Sequence, residues 1–413
     1  MKNKIVKLVM ALISFIFAIY FLGDKNEYKN NNKTKEVTEN LLTMNLEQTA
    51  GAGDYKTVTR SEWPTKGYKF NSKLSRCENG SELYWDDDNK MILMSGASSD
   101  KCYIYFDKII ALADYVIAKY NGVQGNNNIY YHDSSLTNGA GDNSYRYAGA
   151  SDDVNNYVCF GSDSKICSED NLYRIIGVFD GKVKLIKATF ANSDLLGTDG
   201  EYNATPPYYG WTTLTTCPNS LAFEYNNGIA RLANKNIIAA GSVDNETYCV
   251  KWQYSKLNTI NLNTNFINNI GIMWANKIVV NTWKVGNVIS VEVESGIPSV
   301  VYNKEINNIN DTTTYDAKIG LHYLSDYGFA ASPSAWNTIL SSYGSYSTSN
   351  WLISTNESVW SITHTDTKAF DNGTSISCIT PSNQRNVRPT FYLNSSVLYI
   401  SGTGTISNPI RIS

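Results

Sequence analysis

The sequence predicts a strand-rich α+β protein, in which an antiparallel or irregular sheet is accompanied by one or two helices. Three observations support this prediction. A strong hairpin signal spans Leu172 to Ala188, short apolar runs alternate with long loops rich in Ser, Thr, Asn and Gly, and few stretches have helical periodicity. The 413 residues leave room for two or three domains with a substantial core.

The charge balance argues against a nucleic-acid partner. The chain has 35 Lys and Arg against 38 Asp and Glu, and its net charge is -3. Phosphate binding needs clustered cations, which this sequence does not show. Tyrosine is abundant, with 29 Tyr against 13 Phe, and this excess is typical both of half-buried sheet surfaces and of binding surfaces.

The first 23 residues predict an export segment. Lys2, Lys4 and Lys7 precede an apolar run from Leu8 to Gly23, so the amino terminus is expected inside and the rest outside. The large side chains at positions 19–22 do not suit a cleavage site. They favour a retained signal anchor or transmembrane helix, hence a single-pass cell-membrane protein with an extracellular carboxyl-terminal part; secretion is the alternative.

Residues 24–53 predict a flexible stalk, since they are rich in Asn, Lys, Glu and Thr. Residues 54–121 predict a small β module that ends in an amphipathic helix. The expected strands are Glu82–Asp86, Lys90–Met94 and Cys102–Phe106, and the expected helix is Lys108–Tyr120 with Asp107 as its N-cap. Residues 122–153 are poor in aliphatic side chains and predict a functional loop or a linker.

Residues 154–413 form the predicted main domain, which opens with the hairpin. Asp180-Gly181 suits a two-residue type I′ turn. In the second arm, apolar and charged residues alternate, which predicts one mostly apolar and one mostly charged face. Further along, the sequence predicts a helix or helix pair at Asn258–Lys277 and strands at Ile289–Val293, Lys318–Leu324, Trp351–Ile353, Trp360–Ile362, Val387–Leu393 and Pro409–Ile412.

Seven cysteines stand at positions 77, 102, 159, 167, 217, 249 and 378. None forms Cys-x-x-Cys, and the three histidines show no metal-ligand spacing with them, so neither a metal nor another cofactor is predicted. Outside the cytoplasm, scattered cysteines predict disulfides, with Cys77–Cys102 and Cys159–Cys167 as the preferred pairs. The other three leave one pair and one thiol that spacing does not assign.

Six segments follow one another in a recognisable order, namely Asn171–Ile186, the helix near Trp274, Lys318–Ala330, Asn350–Leu352, Val387–Leu393 and Ser401–Thr405. This order resembles an uncharacterised family of exported proteins of low-GC Gram-positive bacteria, which brings no assigned chemistry. The plan of hairpin, helix, Trp-Leu strand and late Arg-Pro segment is also similar to C-type-lectin-like and formylglycine-generating-enzyme-like domains. The second resemblance implies a C-type-lectin-like sheet for residues 154–413.

The motifs of those relatives are not matched here. Thr380-Pro-Ser-Asn383 lacks the acid or amide that precedes proline in calcium-dependent lectins, and the sequence contains no Trp-Asn-Asp. Formylglycine-generating enzymes use two nearby cysteines late in the chain, where only Cys378 stands. Neither calcium-dependent sugar binding nor that oxidation chemistry is therefore expected.

The candidate ligand-binding residues are four aromatic side chains and one arginine. The aromatic side chains offer stacking surfaces for sugar or peptide, although large rings of this kind also fill protein cores. Arg388 lies inside a strand-like run and is expected to pair with a carboxylate at the domain centre. The four aromatic residues are Trp211, Trp351, Trp360 and Tyr327.

The absence of a compact catalytic motif favours binding over catalysis. The predicted function is a recognition or adhesion module for a glycan, a wall polymer or a host protein. The first alternative is a hydrolase of wall or surface polymers, and the second is a structural or pilus-associated subunit. A hydrolase would draw on an acid/base set of His322, His364, Ser325, Asp326 and Asp366.

Overall fold

The computed structural model describes most of the chain beyond residue 40. The described residues are 41–64, 67–97, 99–199, 252, 255–286, 288–307, 312–343, 350–352, 358–364, 369–372, 376–379 and 384–413, with the backbone of four short strands at 202–204, 207–210, 223–226 and 229–232. The predicted export segment lies outside them. In the part that is described, no helix is long and apolar enough to cross a membrane.

The chain divides into two compact units, Met1–Ile109 and Ile110–Ser413, which we call the amino-terminal and the carboxyl-terminal unit. The described strands of the amino-terminal unit are β1 Leu42–Glu47, β2 Tyr55–Val58, β3 Tyr68–Phe70, β4 Arg76–Cys77, β5 Glu82–Asp86, β6 Met91–Ser95 and β7 Cys102–Lys108, with one 3-10 turn at Arg60–Glu62. Strands β5 and β6 form a hairpin, and the other five form one sheet.

Strand β1 lies at the centre of that sheet, between β2 and β7, and runs parallel to β7. Its residues fall within 24–53, the range for which the sequence predicts a flexible stalk. Alternation explains the strand, because Met44 and Leu46 are buried against Ile104 and Phe106 of β7. The predicted Cys77–Cys102 disulfide is confirmed, with an S–S distance of 1.97 Å between β4 and β7.

The carboxyl-terminal unit is built on a seven-stranded sheet. Its strands are β9 Ile129–His132, β10 Ser144–Tyr147, β11 Tyr157–Cys159, β12 Leu172–Phe179, β13 Lys182–Lys187, β20 Ile319–Gly320 and β25 Thr390–Tyr392. The order is β20-β25-β13-β12-β10-β9, and β11 pairs with β12. The range 122–153, predicted as a loop or linker, thus contributes β9 and β10. The predicted Cys159–Cys167 disulfide is confirmed, with an S–S distance of 2.03 Å.

The predicted hairpin is present as β12 and β13. Asp180 and Gly181 have φ angles of 48° and 71°, as the type I′ turn requires. The face predicted to be charged is not solvated, however. Lys184, which lies on that face, is 1% exposed, because the sheet is covered on both sides.

Several short helices cover the sheet or follow its strands. They are α1 Leu112–Tyr120, α2 Ser193–Leu196, a π-helical segment Leu257–Phe266, α3 Ile267–Asn269, α4 Ile272–Ala275, α5 Ser290–Glu294, α6 Pro298–Tyr302, a π-helical turn Asn303–Asn307 and α7 Leu324–Phe329, with 3-10 turns at Asn126–Asn128, Glu169–Asn171 and Pro333–Ala335. The helical prediction for Asn258–Lys277 is confirmed.

Three sequence predictions for these elements are wrong. Helix α1 begins at Leu112, so Asp107 lies in β7 and is not its N-cap. The strand predicted at Ile289–Val293 is instead helical, because Ser290–Val293 lie in helix α5 and Ile289 is its N-cap. Ile289 and Val291 are exposed, so the alternation of apolar residues does not mark a buried face. Trp351 and Leu352 lie in a turn, beside a single bridge between Asn350 and Ala331.

The remaining described strands form small sheets. They are β8 Ile110–Ala111, β14 Tyr202–Ala204, β15 Pro207–Gly210, β16 Phe223–Asn226, β17 Ile229–Leu232, β18 Asn281–Gly286, β19 Thr312–Ala317, β21 Val359–His364, β22 Ala369–Asn372, β23 Ile376–Ile379, β24 Gln384–Arg385, β26 Leu398–Ser401 and β27 Arg411–Ile412. The predicted strand-rich α+β class is thus confirmed, with many small sheets and few helices.

Candidate functional site

A cavity of about 210 Å³ opens in the carboxyl-terminal unit, beside the turn of the central hairpin. Its walls combine acidic, basic and aromatic side chains from the main sheet, from strand β18 and from helices α6 and α7. The lining residues are Asp142, Arg146, Phe179, Asp180, Lys182, Lys184, Asn281, Thr282, Lys284, Tyr302, Ile306, Tyr323, Ser325, Asp326 and Tyr392.

The register of the sheet brings two cations together on the cavity wall. Arg146 of β10 stands opposite Gly177 of β12, and Gly177 stands opposite Lys184 of β13. A Cβ atom on Gly177 would lie 2.2 Å from the carbonyl oxygen of Tyr145, so no side chain fits between the strands there. Arg146 and Lys184 therefore reach the same carboxylate, Asp326.

Asp326 is the centre of a buried charge network. Its Oδ1 accepts from Nη1 of Arg146 at 3.3 Å, and its Oδ2 accepts from Nζ of Lys184 at 2.5 Å. Arg146 also donates through Nη2 to Asp142 at 2.6 Å and through Nε to Ser144 at 2.8 Å. Two acids thus face two bases, which is how a protein keeps buried charges paired.

The electrostatics of this network favour its charged acids. Burial opposes ionisation of Asp142, but the Arg146 guanidinium and the hydrogen bonds from Ser144 together outweigh it and hold the pKa of Asp142 at about 2. Burial likewise opposes ionisation of Asp326, and Lys184 with Arg146 outweighs it, so the pKa of Asp326 is lowered. For Lys184, by contrast, burial prevails over the attraction of Asp326 and lowers its pKa.

Aromatic rings surround the Lys184 amine. Its Nζ lies 4.7 Å from the ring centre of Tyr323 and 5.5 Å from those of Phe179 and Tyr392. Ring faces attract a cation and at the same time exclude water from it. The ammonium group therefore sits in a dry environment with a single described carboxylate in contact.

Glu305 binds the backbone at the start of helix α7, which carries Asp326 on the cavity wall. Its carboxylate accepts from the backbone N–H groups of Leu324 and Ser325 at 2.9 and 3.0 Å, and from the hydroxyl of Thr363. It thereby satisfies the first donors of helix α7, while Asp326 accepts from the N–H of Tyr323 at 2.9 Å. Burial raises the pKa of Glu305 to about 7, although Ser325 and Thr363 partly oppose this.

Three of the five predicted ligand-binding residues are described in full, and all three are buried. Trp351 is 3% exposed and donates through Nε1 to the carbonyl of Tyr147 at 2.9 Å. Tyr327 is 0% exposed, on helix α7. These two rings form part of the core, where a ligand outside the protein cannot stack on them.

Arg388 is also buried, but its partners differ from the prediction. It donates to the carbonyl oxygens of Lys187 at 2.8 Å and Leu352 at 2.9 Å, and none of the described carboxylates forms an ion pair with it. Burial lowers the pKa of Arg388 to about 9, and Arg174 adds to this effect. Its role here is to tie three chain segments together through backbone oxygens.

The other predicted residues fall largely outside the description. Trp211 and Asp366 lie outside the described residues, and so do the side chains of Trp360 and His364. His322 is described and buried, with its Nε2 2.6 Å from Oδ1 of Asn372. Burial lowers the pKa of His322 to about 4, so the ring is neutral at physiological pH. Of the proposed acid/base set, Asp326 and Ser325 line the cavity.

Arg146, Asp142, Lys184 and Glu305 were missed by the sequence reasoning. Their pairing joins residues up to 180 positions apart, as in Arg146 and Asp326, and no spacing rule covers such a distance. Lys184 gave no separate signal, because it is one of three lysines in strand β13. Among the described residues, no group of three or more His, Cys, Asp or Glu is placed to hold a metal ion.

Comparison with known proteins found no matching family model, curated protein or solved structure. The site must therefore be interpreted from its own geometry.

Proposed function

We propose that the protein is a membrane-anchored extracellular recognition or adhesion module, and that its carboxyl-terminal unit binds a sugar residue of a glycan or wall polymer. The observation that carries this proposal is the cavity beside the hairpin turn, which combines aromatic walls with polar and charged groups. Sugar recognition needs aromatic and polar groups together. The faces of aromatic rings pack on the C–H groups of the sugar, while amides, hydroxyls and charged groups form hydrogen bonds with its hydroxyls.

The size of the cavity supports a small group. At about 210 Å³ it is below the range of about 300–1,000 Å³ that drug-sized ligands occupy. One sugar ring of a longer polymer suits such a volume, with the rest of the polymer outside. Tyr302, Tyr323 and Tyr392 provide rings, and the rim carries Asn281, Thr282 and Lys284.

The extracellular location is supported by the two disulfides. Cys77–Cys102 and Cys159–Cys167 each join segments of one unit, and such bonds persist in oxidising compartments. Together with the apolar run at Leu8 to Gly23, they favour a protein displayed outside the cell. A C-type-lectin-like organisation of residues 154–413 belongs to the same proposal.

The test is binding of the full chain to glycan arrays and to purified wall polymers, followed by rim variants. Asn281→Ala and Lys284→Ala are expected to weaken binding of the best polymer about tenfold each, the loss of roughly one good polar contact. Lys165→Ala is the matched control, because Lys165 is exposed and does not line the cavity.

Two results would contradict the proposal. Binding that both rim variants leave unchanged would mean that the ligand sits elsewhere than in the cavity. No binding to any glycan or wall polymer at high protein concentration would remove the basis of the recognition function.

A further inference from the structure

The contact between Lys184 and Asp326 has the features of a covalent cross-linking site. An amine and a carboxyl group face each other at 2.5 Å, and the two residues are 1% and 3% exposed. Both are held by rigid elements, strand β13 and helix α7. The pair is far more buried than a surface ion pair, and the charge of a further acid, Glu305, also acts on Lys184.

We propose that Lys184 and Asp326 condense to an isopeptide bond that joins β13 to α7. One proton first passes from Nζ to Oδ2 across their contact, which gives a neutral amine and a neutral carboxyl group. The Nζ atom then attacks Cγ of Asp326, the Cγ–Nζ bond forms, and the Cγ–Oδ2 bond breaks. The ammonium group gives up two protons to the departing oxygen, so the products are an amide and one water molecule. The reaction involves no oxidation, and the side chains supply every atom that it needs.

The surroundings support three stages of this condensation, namely proton loss by the amine, addition to Cγ and departure of Oδ2. Attack needs a neutral amine, and burial among aromatic rings lowers the pKa of Lys184. Arg146 donates to Oδ1, where negative charge develops when Nζ adds to the carbonyl carbon. Oδ2, the oxygen that leaves, accepts from the N–H of Tyr323. Exclusion of water then prevents the reverse hydrolysis.

Glu305 is a further carboxyl group whose charge acts on the reacting pair. Its carboxylate is fixed to the N–H groups of Leu324 and Ser325, directly before Asp326 in the chain. A carboxyl group whose pKa is about 7 exchanges protons readily in either direction near neutral pH. The proposal therefore includes Glu305 as the group that assists proton transfer between the two side chains.

Lys187 shows why this assignment is specific to Lys184. It is buried on the same strand, three residues further on, and its Nζ lies 3.4 Å from the Thr189 hydroxyl. None of the described carboxylates forms an ion pair with it, so the described part of the chain places no acyl group against its amine. The chain therefore contains its own control for a buried lysine that cannot form the bond.

The experiment is mass spectrometry of the purified full chain after reduction and denaturation. The expected mass is lower than the mass of the reduced chain by one water molecule. Trypsin should release Val183–Lys187 joined to Ile319–Lys368, uncut after Lys184. Lys184→Arg and Glu305→Gln should restore the full mass, whereas Lys187→Arg should keep the loss of water.

Folding of each variant is checked by counting the Cys77–Cys102 and Cys159–Cys167 disulfides before reduction. A folded wild-type chain with the full mass would overturn the proposal, as would a loss of water that maps to other peptides. Folded Glu305→Gln that still loses water would overturn the assignment of Glu305. None of these results depends on ligand binding.

Discussion

Two buried clusters of cations lie along strand β13, one at Lys184 and one at Lys187. The two clusters differ in the groups that contact their positive charges. At Lys184, the cations meet carboxylates: Arg146 and Lys184 contact Asp326, and Arg146 contacts Asp142. At Lys187, three residues along, the described partners are hydroxyls and carbonyl oxygens. Arg174 donates to Asn156 at 2.6 Å and to the carbonyl of Val154 at 2.9 Å, and Arg388 donates to two other carbonyls.

The pKa values show the consequence of this difference. In the first cluster, Asp142 and Asp326 outweigh the effect of burial and raise the pKa of Arg146, although burial prevails at Lys184 and lowers its pKa. In the second, burial prevails and lowers the pKa of Arg174 to about 10 and that of Lys187 to about 8. Carbonyl oxygens thus accept the hydrogen bonds of these cations but do not neutralise their positive charge. The buried charges of the second cluster are therefore electrostatically unfavourable for the folded state.

The largest expected effect is a difference in the free energy of unfolding between variants of Lys184 and variants of Lys187. Lys184→Met should lower the free energy of unfolding by about 3–5 kcal/mol, because it leaves Asp326 buried with one cation fewer. Lys187→Met should change it by less than about 1 kcal/mol, since a methionine fills the space and orphans no carboxylate. Urea unfolding of both variants measures the difference, and equal losses would show that carboxylate pairing does not distinguish the clusters.

A smaller effect is expected for the arginine of the second cluster. Arg388→Met should cost about 2 kcal/mol, because the carbonyl oxygens of Lys187 and Leu352 lose their donor while no acid is stranded. Arg388→Lys should recover part of that loss by reaching one of the two carbonyls. The same unfolding assay applies, and a loss as large as that of Lys184→Met would mean that an acid partner had been overlooked.

The smallest effect is a pair of opposite slopes in stability against pH. Glu305 has a folded pKa of about 7 against its ordinary 4.5, so the folded state binds more protons and stability falls between these values. Lys187 has a folded pKa of about 8 against 10.5, so the unfolded state binds more protons and stability rises above pH 8. Glu305→Gln should flatten the fall, and Lys187→Met should flatten the rise.

These slopes are measured by thermal unfolding at a series of pH values, with wild type and both variants in one buffer system. If Glu305→Gln kept the wild-type fall in stability below pH 7, and Lys187→Met kept the wild-type rise above pH 8, the pKa shifts assigned to these two groups would be wrong.

Local patterns in the sequence were sufficient for the local parts of the fold. Asp180-Gly181 identified the hairpin, and the short separation of Cys159 and Cys167 identified a disulfide. Patterns of five residues were less reliable. The apolar residues of Ile289–Val293 alternate as in a strand, but most of this range lies in helix α5. The helix begins after the extended Ile289 and ends before Gly296.

The candidate site was largely beyond sequence reasoning for a physical reason. Alternation in β13 assigned Lys184 to a solvated face, because a sheet with one covered side is the usual antiparallel case. Here the second side is covered by helices α6 and α7 and by strand β18, and the lysine's charge is met by Asp326, which lies 142 positions away. Asp326 and Arg388 were noticed as unusual, but their partners depend on the three-dimensional arrangement alone.

The position of strand β25 has a consequence for how the chain folds. Residues 390–392 lie between β13 and β20, so they cover one edge of a hairpin that is synthesised much earlier. A growing chain cannot complete this sheet until residue 392 has left the ribosome, and its apolar arms stay uncovered until then. Until β25 pairs with it, the β13 edge of the hairpin is therefore open to incorrect strand pairing during synthesis.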